Sequence, residues 1–203
     1  MKDIVIPGEK VSDSPLKISG GAYRKDGSVY AKYLGILYKN EVGVSVVPLN
    51  GSYVPRVGDV IIGIVTGESL YDYNLDMNYY NHGRLNKRDS PGILKINDVL
   101  LLRVAEVNEI KQVTIGCIRK LEAGTLFNVN PRKIARIVGK NRSMLSAIEK
   151  HTGSKLIVGS NGFIFGAEGN LDVVKETLEK IQQYSHVDEL TKKMEEILIK
   201  KSE

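Results

Sequence analysis

The sequence predicts a multidomain chain, β followed by α/β: an N-terminal β domain over 1–55, a small closed barrel over 56–122 and an α+β domain over 123–203. Three observations predict it. Short β-branched and aromatic runs are punctuated by glycine and proline through the first seventy residues, which hold 10 of the 20 glycines and 4 of the 6 prolines. A second set of strand-like runs fills the chain to residue 120. After Pro131 the apolar spacing changes from two residues to about 3.6, the helical period.

The elements follow in order. Val29-Tyr30-Ala31-Lys32-Tyr33, Val42 to Val47 and Val60 to Val65 read as strands broken by tight turns. Pro48 to Pro55 reads as a connector, with Asn50-Gly51 as its turn signal. Val99 to Val104 and Gln112 to Cys117 add strands, and so many short strands in one small region suit a closed barrel without exposed edges. Ile134, Ile137 and Val138 begin a helix that stops at Gly139, and Met144, Leu145 and Ile148 share the face of a second, which Thr152-Gly153 ends. Lys155 to Val158 and Phe163 to Phe165 are strands joined by the turn Gly159-Ser160-Asn161-Gly162. Leu171, Val174, Leu178 and Ile181 form a helical stripe with Asn170 as its N-cap. Val187, Leu190, Met194, Ile197 and Leu198 form another.

Composition narrows the class. With 42% hydrophobic and 26% charged residues over 203 positions, disorder is a poor reading. No apolar run approaches the ~18 residues of a membrane span, and the first residues lack the apolar core of a signal peptide. Cys117 is the only cysteine, which predicts a reducing, intracellular address and excludes a cysteine-based metal site; a cytoplasmic location is expected. The net charge of +5 is modest, but its distribution is not: residues 121–155 carry 7 basic side chains against Glu122 and Glu149. One short stretch holds an excess equal to the whole net charge.

Ile137-Val138-Gly139-Lys140-Asn141-Arg142-Ser143-Met144 resembles the GxxG loop of a KH RNA-binding domain. In such domains that loop holds the backbone of about four nucleotides. Val57-Gly58-Asp59, Ile62-Gly63-Ile64-Val65 and Tyr73-Asn74-Leu75-Asp76-Met77 resemble the opening of an S-one domain, an OB-type five-stranded barrel, and Gly159-Ser160-Asn161-Gly162 matches a GxNG turn. In this order the three parts are similar to the RNA-binding cap subunits of the archaeal exosome. Two departures stand out: Arg142 takes the fourth place of the GxxG loop, and the barrel is short between Met77 and Ile96.

The resemblance implies an RNA site. Tyr79 and Tyr80 are candidates to stack bases, whereas Tyr71 and Tyr73 are expected to share a strand face and pack the barrel. His82, Arg84, Lys87 and Arg88 form a basic run on an expected barrel loop. Arg132, Lys133, Arg136, Gly139, Lys140, Asn141 and Arg142 are candidates for a phosphate track. Arg142 either blocks close approach or replaces a backbone contact with a charge-assisted one; the neighbouring Arg136 and Lys140 favour the second. Gly159, Asn161 and Gly162 are expected to be structural turn residues.

No catalytic constellation, metal site or cofactor loop is visible, so the chain reads as non-catalytic with no cofactor. The family implies a cap component that binds RNA, including A-rich tails, and feeds 3′ ends to a hexameric phosphorolytic ring. The implied partners are RNA, ring subunits and a trimeric cap of like chains or zinc-ribbon subunits, with no membrane and no DNA. Residues 1–55 are expected to dock on the ring. A free-standing RNA-binding module, an RNA chaperone or a protein like a transcription elongation factor stays open.

Overall fold

Seven short strands build the first part of the computed structural model, which describes residues 3–13, 17–40, 42–49, 51–109 and 112–183. They are β1 (Ile4–Val5), β2 (Lys10–Ser12), β3 (Lys17–Gly20), β4 (Ala22–Lys25), β5 (Ser28–Ala31), β6 (Gly35–Lys39) and β7 (Gly43–Pro48). Two small sheets result: β1-β6-β7-β3, with β3 parallel to β7, and the antiparallel β2-β5-β4. Alternation sets the inward face, so Val29 and Ala31 of β5 and Val44 and Val46 of β7 form a core with Val5 and Val11. The strand expected over Val29 to Tyr33 stops at Ala31, where Lys32 N turns to donate to Gly21 O at 2.9 Å. Asn50, of the expected Asn50-Gly51 turn, lies outside the described residues.

The chain divides between Gly51 and Ser52. Near the start of the second unit, Tyr53 belongs to a buried core rather than to a mere connector. Its hydroxyl donates to Asp59 Oδ2 at 2.7 Å. Five strands then close a barrel: β8 (Val60–Glu68), β9 (Asp72–Asp76), β10 (Gly83–Asn86), β11 (Val99–Val107) and β12 (Val113–Leu121). Their order is β10-β12-β11-β8-β9, closed by antiparallel pairing of β9 with β10. β10 lies parallel to β12. Leu75, Leu85, Leu100, Leu102 and Ile115 fill the interior with Ile61, Val65 and Tyr73.

β8 and β11 are apolar on both faces. Ile62, Ile64, Val99 and Leu101 are excluded from the barrel's own core and cluster instead with Leu121, Phe163 and Phe165. Each large side chain buried there contributes about 1.5–3 kcal/mol. This second cluster joins the barrel to the helix–sheet module that follows.

That module runs β13 (Thr125–Asn128), α1 (Ile134–Val138), α2 (Ser143–Thr152), β14 (Lys155–Val158), β15 (Phe163–Ala167) and α3 (Leu171–Gln183). Its antiparallel sheet has the order β13-β15-β14. β13 was not legible in the sequence, because four residues between Gly124 and Asn130 show too little alternation to mark a strand. Met144, Leu145 and Ile148 of α2 pack against Val174, Leu178 and Ile181 of α3 and Ile164 of β15. Asn170 Oδ1 accepts from Val173 N at 3.2 Å and caps α3 as expected. The stripe from Val187 to Leu198 lies outside the described residues.

Candidate nucleic-acid interface

The segment between β9 and β10 carries the tyrosine pair. Asn78, at φ 54°, turns the chain there, with its N–H donating to Asp76 Oδ1 at 2.9 Å. Tyr79 packs against the barrel core and meets Tyr53 edge to face, with ring centroids 6.4 Å apart. Tyr80 lies 4.3 Å from Tyr79 by centroid and is 71% exposed. Burial, with a hydrogen bond to Tyr80, pushes the Tyr79 phenol up to about 12. Tyr80 therefore offers an open ring, and Tyr79 is the wall that braces it. The other pair separates, contrary to expectation. Tyr73 is buried, but Tyr71 is 71% exposed because β9 begins only at Asp72, after the turn in which Ser69 N donates to Asp72 O.

The basic run is not one loop. Arg84 lies on β10, whose alternation sends Leu85 inward and leaves Arg84 exposed. With His82 it lines a groove of about 320 Å³ that also holds Asp72, Asn86, Asp89 and Gln112. Lys87 opens a single 3-10 turn, Lys87–Asp89, capped by Asn86 Oδ1, which accepts from Arg88 N at 3.0 Å. Its ammonium is held 2.5 Å from Glu68 Oε1 and 5.4 Å from the Tyr73 ring centre, so its charge is already engaged. Arg88 remains exposed.

On the helical module, Pro131–Lys133 forms one 3-10 turn, with Asn130 Oδ1 accepting from Arg132 N at 3.0 Å. Arg132 is exposed, whereas Lys133 and Arg136 are half-buried. Burial, reinforced by the Arg136 charge, holds the Lys133 ammonium below its ordinary value. Gly139 separates α1 from the turn Lys140–Arg142; at φ 73°, a Cβ there would stand 2.8 Å from Met144 N, so only glycine fits. Lys140, Asn141 and Arg142 are exposed, and Asn141 and Arg142 both take left-handed backbone, at φ 52° and 62°. Arg142 Nη2 lies 4.0 Å from Glu149 Oε2, so its guanidinium leans along α2, the helix that follows it.

The turn at Gly159, Asn161 and Gly162 does more than reverse the chain. Asn161 is fully buried and bonds to barrel backbone at Ile62 and Met77. Asn78 Nδ2 donates to Asn161 O at 2.7 Å, and Ser160 N to Val60 O at 2.9 Å. The tyrosine segment and the helical module are thus fixed to each other. Sequence reasoning missed this joint, although the unbroken apolar runs from Ile61 to Val65 and Val99 to Leu102 were its signal. Among the described residues, no group of three or more His, Cys, Asp or Glu side chains could hold a metal ion. Among them too, no helix is long and apolar enough to cross a membrane.

The fold and its surface define a class: β-rich chains in which a closed barrel is locked to a small helix–sheet module bearing basic turns. A crystal structure assigned to an exosome complex RNA-binding protein shares this fold, with a TM-score of 0.67 at 22% identity, covering 74% of this chain and 97% of the other. Residues 2–50 match the family described as the exosome RNA binding protein RRP4 N-terminal domain. The chain is 32% identical to the exosome complex component Rrp4 of Methanosphaera stadtmanae, over 90% of this chain and 88% of the relative. It is 32% identical to that of Methanosarcina mazei, over 94% and 79%. The chain belongs to the exosome complex component Rrp4 family.

Proposed function

We propose that this chain is a non-catalytic, RNA-binding cap component of an exosome that delivers RNA 3′ ends to a phosphorolytic ring. The observation that carries this reading is the match, at about a third identity over nine-tenths of the chain, to proteins named as exosome component Rrp4. The architecture supports it. A five-stranded barrel with β10 parallel to β12 fits an OB-type S-one domain, and the order strand, helix, helix, strand, strand, helix fits a KH domain.

Within this reading, Tyr80 stacks a base against the brace of Tyr79, a contact of about 1–3 kcal/mol. His82, Arg84 and Arg88 meet the backbone beside it. Arg132, Lys133, Arg136 and Lys140 supply a phosphate track on the helical module, with Gly139 and Asn141 shaping the loop and Arg142 at its end. The first domain docks on the ring, the cap is trimeric, the site is cytoplasmic, and A-rich tails are among the RNAs bound. Incubating the purified chain with labelled RNA, phosphate and Mg²⁺ tests it. Binding without release of nucleotides is expected, and phosphate-dependent shortening that follows the pure protein would overturn the non-catalytic assignment.

A further inference from the structure

At the seam between barrel and helical module lies an open groove of about 380 Å³. The barrel side contributes Ser52, Tyr53, Arg56 and Asp59, and the module side contributes Arg132 and Ser160. Arg56 is not part of the run on β10 or of the GxxG-like turn. Its guanidinium and that of Arg132 are exposed, and among the described residues neither has a hydrogen-bond or ion-pair partner.

The one acid is differently placed. Asp59 Oδ2 accepts from the Tyr53 hydroxyl at 2.7 Å and from Arg56 N at 3.1 Å. Burial, with Asp59 beside it, keeps the Tyr53 phenol well above its ordinary value, so that hydroxyl remains a donor. Two guanidiniums and one carboxylate leave the groove one positive charge in excess, the complement of a single phosphodiester.

The two segments that carry the arginines are joined through the backbone. Ser160 N donates to Val60 O at 2.9 Å, and the next residue, Asn161, is bonded into the barrel backbone. The seam fixes where the backbone of each arginine stands, so binding orders the two side chains and not the segments that carry them. Each presents a planar fork suited to phosphate oxygens.

We propose that this seam groove holds one phosphodiester of single-stranded RNA, bridged by Arg56 of the barrel and Arg132 of the helical module. The assignment rests on the RNA-binding reading above and extends it. RNA then crosses from barrel to module along the seam, not only over the open barrel face or the GxxG-like turn.

Anisotropy of a short labelled single-stranded RNA with the full chain, across a salt series, tests it. Arg56→Gln and Arg132→Gln each weaken binding, and the double variant loses roughly tenfold. Because both arginines share one phosphate, the double loss is smaller than the product of the single losses. The slope of log affinity against log salt falls by about 0.7 in the double variant. Arg132→Lys, which keeps the charge and loses the fork, falls between parent and Arg132→Gln. Both side chains are exposed, so the thermal transition stays in place. A double variant with the parent's affinity and slope overturns the groove while leaving RNA binding intact. A parent that binds no RNA overturns the RNA reading and this proposal with it. Calorimetric loss of inorganic phosphate binding, with RNA affinity unchanged, assigns the groove to the free ion and overturns its assignment to RNA.

Discussion

Asn161 meets the backbone of Ile62 as a neighbouring strand would. Its Oδ1 accepts from Ile62 N at 3.2 Å and its Nδ2 donates to Ile62 O at 2.7 Å. Nδ2 also donates to Met77 O at 2.8 Å, at the end of the segment that leads to Tyr79 and Tyr80. One buried carboxamide therefore ties the turn of the helical module to two barrel segments.

Asn161→Ala strips partners from three buried backbone groups. A loss of about 3 kcal/mol is expected, since each orphaned group costs roughly 1–3 kcal/mol and water entering the space recovers part. Urea unfolding measures it, and a midpoint equal to the parent's would mean that the clamp contributes nothing. Asn161→Asp loses both donations and sets a carboxylate against two carbonyls, so it falls below Asn161→Ala.

Gly162 and Gly58 share a backbone angle but not their surroundings, at φ +91° and +92°. A Cβ at Gly58 meets nothing within 4 Å, so Gly58→Ala costs only backbone strain, about 1 kcal/mol. A Cβ at Gly162 would stand 2.4 Å from Val129 O, and the clash raises the cost of Gly162→Ala to roughly 3 kcal/mol. Thermal denaturation of the two variants compares them. Equal shifts would show that the seam relaxes around the added methyl.

Arg142 separates stability from binding. Its φ of 62° favours glycine, and its 62% exposed side chain stands 4.0 Å from Glu149, a pair of little worth. Arg142→Gly relieves strain at some cost in chain entropy, for a net gain of roughly 0.5 kcal/mol. RNA affinity nevertheless falls modestly, and Arg142→Glu falls further. Tighter binding by Arg142→Gly would mean that the side chain obstructs the loop.

Along β10 and the turn after it, Lys87 is paired with Glu68, whereas among the described residues Arg84 and Arg88 form no ion pair. Changing Arg84 and Arg88 to Ala lowers the salt slope of RNA binding by about 0.7 for each phosphate no longer neutralised, alike for all RNA sequences. Lys87→Ala barely moves the slope, but it costs roughly 0.5 kcal/mol of stability through the Glu68 pair and the Tyr73 ring. A slope that follows Lys87 alone would reverse these roles.

Much of the fold was legible because local signals agreed. Lys155 to Val158 is a strand bounded by a helix stop and a turn, and the stripe from Leu171 to Ile181 is a capped helix. Loss of legibility began where tertiary packing decided the outcome. Tyr53 looked like linker because the barrel that buries it comes later in the chain. Tyr71 and Tyr73 are two residues apart, but the strand boundary falls between them. Arg84 and Lys87 looked alike in a charged run, yet one faces a groove and the other is engaged by Glu68, nineteen positions away. Asn161 read as a turn residue because its partners lie 99 and 84 positions earlier.

A cap subunit is recovered from the cell together with the ring that it caps. Affinity capture of the full chain from native lysate of its source, with partner masses identified and stoichiometry measured, tests it most directly. Co-recovery with the subunits of a phosphorolytic ring in fixed ratio, retained after nuclease treatment, is expected. Recovery of the chain with RNA alone, and no ring subunits, would contradict it and favour a free-standing RNA-binding module.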